Sequence, residues 1–80
     1  MKTVTLQYFA VLREQAGCSQ EQVETAAATP AELYEQARER HGFTLPRSML
    51  RVAVNDEFRE WTWPLQTNDR VVFIPPVAGG

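Results

Sequence analysis

Arg70-Val71-Val72-Phe73-Ile74-Pro75-Pro76-Val77-Ala78-Gly79-Gly80 is the stretch that decides how this chain folds. Val71, Val72, Phe73 and Ile74 are apolar at every position, the mark of a strand covered on both faces or touching a partner. Pro75 and Pro76 then stop it. Neither has a backbone N–H and both hold φ near about −65°, so no sheet ladder continues through them. Ile74 and Pro75 each precede a proline, which biases them to extended backbone. Gly79 and Gly80 lack Cβ and can enter a channel too narrow for any side chain. The stretch reads as a buried strand, a stiff stalk and a slim, flexible tip, dividing the chain into a folded domain at 1–74 and a tail at 75–80. Two closing glycines alone fit a frayed end. The full run Phe-x-Pro-Pro-Val-x-Gly-Gly is far more specific.

Upstream, the elements that such a strand could join are legible. Val4, Leu6 and Tyr8 alternate with Thr3, Thr5 and Gln7, so Lys2 to Tyr8 is predicted as a half-buried strand. The period then changes. Phe9, Leu12 and Ala16 fall at helical spacing, and Gly17 can close a short helix as its left-handed C′ residue. A second strand is expected around Gln22–Thr25, where only Val23 is clearly apolar, as suits a sheet edge. The clearest helix runs from Thr29 to His41. Thr29 is a good N-cap, Pro30 sits at the first helical position and Glu32 completes a capping box. Leu33, Tyr34 and Ala37 form its buried stripe, and Gly42 stops it. His41 is read as a last-turn residue complementing the helix dipole.

Phe43 or Leu45 should drop from the following loop onto the core. Met49 to Val54 reads as a third strand with Leu50, Val52 and Val54 on one face. Asn55-Asp56-Glu57 is a turn, Phe58 to Trp63 a short irregular extended stretch, and Gln66-Thr67-Asn68-Asp69 another polar turn. The order strand, short helix, strand, helix, strand, strand, strand is that of an α+β fold of the β-grasp (ubiquitin-like) type. It implies a mixed sheet of four to five strands, one main helix on one face, and the last strand parallel to the first. Trp61 and Trp63 leave two readings open: exposed at the margin of the uncovered sheet face as an interface, or packed over a small core.

Composition narrows the function. Eighty residues make one domain. A net charge of −2 with scattered arginines gives no face for nucleic acid. No apolar stretch is long enough to cross a bilayer, and no signal-peptide pattern opens the chain. The single cysteine, Cys18, cannot form an internal disulfide and fits a reducing cytoplasm. With no neighbouring His or Lys to activate it, Cys18 reads as an incidental thiol. No histidine, cysteine or carboxylate cluster suggests a metal site.

The chain resembles the family of molybdopterin synthase small subunits, which are ubiquitin-like sulfur carriers. The resemblance spans essentially the whole sequence. It rests on Tyr8-Phe9-Ala10-Val11-Leu12-Arg13-Glu14, on Val54-Asn55, on Pro64-Leu65 with Asp69-Arg70-Val71, and most specifically on Phe73 to Gly80. The Trp61-Thr62-Trp63 stretch lies outside these motifs. The resemblance implies that the Gly80 carboxylate is adenylated with ATP by an activating enzyme and then converted by a sulfur donor to a thiocarboxylate. Phe73, Pro75, Pro76, Val77, Ala78 and Gly79 would contact the partner as the tail inserts into the large synthase subunit, in a heterotetramer. Sulfur would pass to cyclic pyranopterin monophosphate, two carriers per dithiolene, with no cofactor bound to the carrier itself. The residue chemistry agrees. An α-carboxyl of pKa about 3.5 is ionised at neutral pH and is a poor electrophile until activated. The alternatives are a thiamine-type sulfur carrier, a ubiquitin-like modifier joined through Gly80 to a lysine, and a plain β-grasp interaction domain with an inert tail.

Overall fold

The computed structural model describes residues 1–76. In chain order these form β1 (Lys2–Tyr8), α1 (Ala10–Ala16), β2 (Gln20–Thr25), α2 (Pro30–His41), a 3₁₀ turn (Arg47–Met49), β3 (Arg51–Val54), β4 (Glu57–Arg59) and β5 (Arg70–Ile74). The five strands make one mixed sheet in the order β2-β1-β5-β3-β4. β5 is central and parallel to β1, with Leu6 beside Val71 and Tyr8 beside Phe73. It is antiparallel to β3, with Val52 beside Phe73. This is the α+β, β-grasp arrangement that the sequence predicts.

The core lies between the sheet and α2. Val4, Leu6, Tyr8, Val52, Val54, Val71 and Phe73 point from the strands toward Leu33, Tyr34 and Ala37 of the helix, with Leu12, Phe43 and Leu65 closing the ends. Of the two loop candidates, Phe43 is buried and Leu45 only half-buried.

α2 begins and ends where its caps dictate. Thr29 is extended (φ −137°, ψ 159°) and its Oγ1 accepts from the Glu32 amide at 3.3 Å. The Glu32 carboxylate accepts from the amide of Ala28 at 3.0 Å, one residue before the usual capping-box partner. Gly42 closes the helix at φ 72°, and Gly17 closes α1 at φ 77°, both as expected. Thr29→Ala should cost about 1 kcal/mol. Urea unfolding should show an earlier midpoint with an unchanged slope, and an unmoved midpoint would contradict the role of the cap.

Four expectations are corrected. The third strand begins at Arg51, not Met49. Met49 and Leu50 donate to the carbonyls of Pro46 and Arg47 at 3.0 and 2.9 Å, a local 3₁₀ turn that takes these amides out of the ladder. The extended stretch from Phe58 to Trp63 ends at Arg59, because the Trp63 amide turns back to the Glu60 carbonyl at 3.0 Å. The β3–β4 turn is the two-residue Asn55-Asp56, at φ 53° and 71°, with Glu57 already in β4. Positive φ at both central residues is the mirror-image turn whose twist suits a tight hairpin. β2 also starts two residues earlier than expected, at Gln20.

Candidate functional site: the central strand and the root of the tail

One residue fixes where β5 begins. Asn55 donates from its side-chain amide to Asp69 Oδ1 at 3.0 Å and accepts the Arg70 amide at 2.9 Å, while its own amide donates to the Arg70 carbonyl at 2.9 Å. Arg70 in turn pairs with Asp56. The Val54-Asn55 and Asp69-Arg70 motifs, separate in sequence, are thus one clamp at the entry of the central strand.

Alternation along β5 then sorts its side chains. Val71 and Phe73 face α2. Val72 and Ile74 share the opposite, uncovered face with Ala53 and Arg51, their neighbours on β3. Phe73 is completely buried, its ring stacked on Trp61 (6.1 Å, 13°) and edge-on to Tyr34 (5.0 Å, 74°). The sequence reading counted Phe73 among partner contacts, but the structure puts its side chain in the core, where it anchors the strand. Pro75 is buried and Pro76 exposed at the exit of β5. Beside them lies an open hollow of about 350 Å³ lined by Met49, Arg51, Ile74, Pro75 and Pro76. Val77, Ala78, Gly79 and Gly80 lie outside the described residues.

The uncovered face divides into two halves. Thr3, Thr5 and Gln7 of β1 make one half polar. Val72 and Ala53, themselves nearly buried, with Phe58 and half-buried Ile74 make the other apolar, and Phe58 is 64% and nearby Met49 53% exposed. Side chains of this kind gathered next to a strand exit suit a protein interface. Sequence reasoning missed Phe58, although a two-residue Asn-Asp turn fixes its parity with Ala53. The tryptophans are not on this face. Trp61 packs under α2, its carbonyl accepting from the Ala31 amide at 3.1 Å, and Trp63 is half-buried under the Arg59 guanidinium at 4.1 Å. Of the two readings of these residues, packing over the core is the one observed.

A second polar cluster was invisible in the sequence. Glu21 Oε2 accepts from Tyr8 Oη at 2.5 Å, His41 Nε2 at 2.6 Å and Arg40 at 3.2 Å. It ties edge strand β2 to the last turn of α2, so His41 does more than face the helix dipole. Burial, reinforced by the Glu21 hydrogen bond, pushes the Tyr8 hydroxyl well above its ordinary range and keeps it a donor. Burial alone would raise the Glu21 carboxyl, but hydrogen bonds from Tyr8, His41 and Arg40 outweigh it and hold the group below its usual 4.5. A lowered native pKa stabilises the fold above the unfolded value, and that contribution is lost as pH falls through the native one. Glu21→Gln should therefore cost about 1–3 kcal/mol near neutrality, where it leaves donors poorly matched. The two proteins should converge in stability as the pH falls below 4.5 and through the lowered native range of the Glu21 carboxyl. A constant gap across that range in pH-resolved urea unfolding would contradict the ionic role.

Cys18 is half-buried against the core. Among the described residues, no three His, Cys, Asp or Glu side chains gather as metal ligands, and no helix is long and apolar enough to cross a membrane.

A sequence profile described as the ThiS family matches residues 6–80. The chain belongs to the ThiS family. It is a ThiS-like, ubiquitin-fold sulfur carrier. Among solved structures, it is similar to a Pyrococcus furiosus protein described provisionally as molybdopterin converting factor subunit 1, at 28% identity and TM-score 0.82, covering 96% of this chain and 100% of that one. It shares its fold with SAMP1 of Haloferax volcanii, at 23% identity and TM-score 0.82, covering 98% of this chain and 99% of that one. The same fold recurs in a Helicobacter pylori complex of subunits 1 and 2 of molybdopterin-converting factor, at 24% identity and TM-score 0.69, covering 98% of this chain and 99% of that one. No curated protein matches the chain in sequence.

Proposed function

We propose that this protein is the sulfur-carrying small subunit of a molybdopterin synthase, with Gly80 as the loaded residue. The observation that carries this reading is the exit of the central strand. A core-anchored β5, clamped at its start by Asn55 and at its end by the buried Phe73, delivers Pro75-Pro76 out of the sheet beside an apolar face. The Pro75-Pro76 pair and the 28% identity to the Pyrococcus furiosus protein favour the molybdopterin reading over a thiamine-type carrier.

In this reading the Gly80 carboxylate attacks ATP held by an activating enzyme, giving an acyl-adenylate and pyrophosphate. A sulfur donor then displaces AMP and leaves a thiocarboxylate. The loaded tip enters the large subunit, where its sulfur is a nucleophile held against a cyclic pyranopterin monophosphate, and proximity replaces a bimolecular encounter. The chain supplies no acid, base or metal to these steps. Its fold presents the tip, and the two prolines limit the entropy lost when the tip is captured. A large-subunit partner is supported by the Helicobacter pylori complex of subunits 1 and 2, and the apolar half of the uncovered face is the seat we propose for it. Each of these steps is at home in the cytoplasm.

The test is the intact mass of the protein after incubation with ATP, an activating enzyme and a sulfur donor. An oxygen-to-sulfur gain localised to Gly80 is expected. An unchanged mass would remove the sulfur chemistry. Conversion of the pyranopterin precursor by the loaded protein and a large subunit then separates this reading from a thiazole-forming carrier. Attachment of Gly80 to lysines in place of conversion would favour a protein modifier.

A further inference from the structure

The free edge of the sheet at β4 has features that the carrier chemistry does not use. β4 is three residues long and, among the described residues, pairs only with β3. In a two-residue hairpin the pairs Val54–Glu57 and Val52–Arg59 exchange the ladder hydrogen bonds. The amide and carbonyl of Phe58 between them therefore turn outward, and neither makes a backbone hydrogen bond elsewhere among the described residues. A groove of about 520 Å³ runs beside this rung, lined by Phe58, Arg59, Glu60, Trp61 and Trp63, and it continues for about 230 Å³ past Arg51. Phe58 and Arg59 belong to opposite faces of the sheet, so a groove that both line straddles the strand edge.

Its charge is equally specific. Arg51 and Arg59 line the groove and Arg47 stands over its Trp61, although the whole chain is acidic at −2. Each guanidinium lies over an aromatic ring: Arg47 on Trp61 at 5.7 Å, Arg51 on Phe58 at 5.6 Å and Arg59 on Trp63 at 4.1 Å. A guanidinium attracted to a ring face is positioned there and keeps N–H groups free for carboxylates. Arg59 already uses Glu57, at 2.6 Å, and Glu60 adds one negative charge to the groove. Arg47 and Arg51 form no ion pair among the described residues. Arg51 also lines the hollow at the tail root, so the groove and the tail exit form one continuous surface.

We propose that the β4 edge docks an extended, acidic peptide segment of a partner protein. The segment adds as a sixth strand, pairs with the outward amide and carbonyl of Phe58, and sets carboxylates on Arg47 and Arg51. Backbone pairing supplies affinity and the ring-positioned arginines supply the preference for acidic side chains. The proposal stands apart from the sulfur chemistry and would hold for any protein that grips the tail.

The probe is a capped peptide alternating glutamate and valine over seven residues, with a lysine–valine peptide as its control. Each is titrated into the ¹⁵N-labelled full-length chain at low ionic strength. Saturable shifts are expected at the amides of Phe58 and Arg59 and at the indoles of Trp61 and Trp63, with no matching response to the lysine peptide. Reversing two exposed charges in Arg47→Glu/Arg51→Glu should weaken binding about tenfold. Phe58→Pro, which deletes the outward amide, gives an independent loss if that double variant fails to fold, and a dispersed spectrum reports folding in each case. The proposal falls if the acidic peptide gives no saturable shifts, if the lysine peptide binds equally, or if shifts gather on Val72 and Ile74 instead. It falls also if concentration alone produces the same shifts, since a second copy of the chain would then occupy the edge.

Discussion

A chain shortened by Gly80 should accept no sulfur, yet unfold at nearly the wild-type temperature. The two halves of this expectation have separate causes. In the proposed function, loading requires an α-carboxylate at the tip, placed where an activating enzyme would hold the α-phosphate of ATP. Removing one residue withdraws that group by about 3.5 Å, and reactions held in near-attack geometry lose orders of magnitude for displacements of about 1 Å. Stability has no such dependence. The buried cluster is assembled from Val4 through Phe73, and every side chain in it precedes the prolines. The comparison requires two measurements on the same sample, intact mass after loading and thermal unfolding. A chain extended by one serine after Gly80 is the companion variant, since it keeps both glycines and moves only the carboxylate. Loading of either variant at the wild-type rate would remove Gly80 from the chemistry. A fall in unfolding temperature of more than a few degrees would instead make the tail part of the fold.

The sequence suggests this division because its strongest signals are local. Thr29-Pro30, Glu32 and Gly42 bracket α2 by backbone chemistry that operates within four residues. Strict alternation from Lys2 to Tyr8 defines β1 for the same reason. What was not legible depends on partners far along the chain. Glu21 meets His41 across twenty positions, and nothing in either local sequence announces the other. The 3₁₀ turn at Arg47–Met49 competes with strand on nearly equal terms, and short-range hydrogen bonds after Pro46 decide it. Ala10, at φ 51°, begins α1 in a conformation that alanine rarely adopts, where spacing alone suggested an ordinary helix start. The tail was recognisable as a motif. Which side of β5 faces the helix was not, since both sides are apolar, and so Phe73 could be expected among the partner contacts.

Phe73→Ala should be the most damaging single change to stability, at about 3–5 kcal/mol. The ring is fully buried and contacts Trp61 and Tyr34, two of the largest side chains beneath α2. Its strand neighbours are Tyr8 on β1 and Val52 on β3, so a cavity there opens at the centre of the sheet. An eighty-residue domain has about 4–12 kcal/mol in total, so the variant should be marginally folded at best. Its unfolding midpoint should fall by about 12 °C or more. Phe58→Ala is the control, because Phe58 is the same residue type on the same sheet but 64% exposed, and its loss should stay within about 0.5 kcal/mol. Equal losses at the two positions would contradict the assignment of faces along the sheet. The variant also separates anchoring from chemistry. Under conditions where Phe73→Ala remains folded, its Gly80 carboxylate is intact, so sulfur loading should be slowed, not abolished as expected for loss of Gly80. Complete loss of loading from a folded Phe73→Ala protein would mean that the activating enzyme reads the end of β5 itself, and that the strand is more than a mount for the tip.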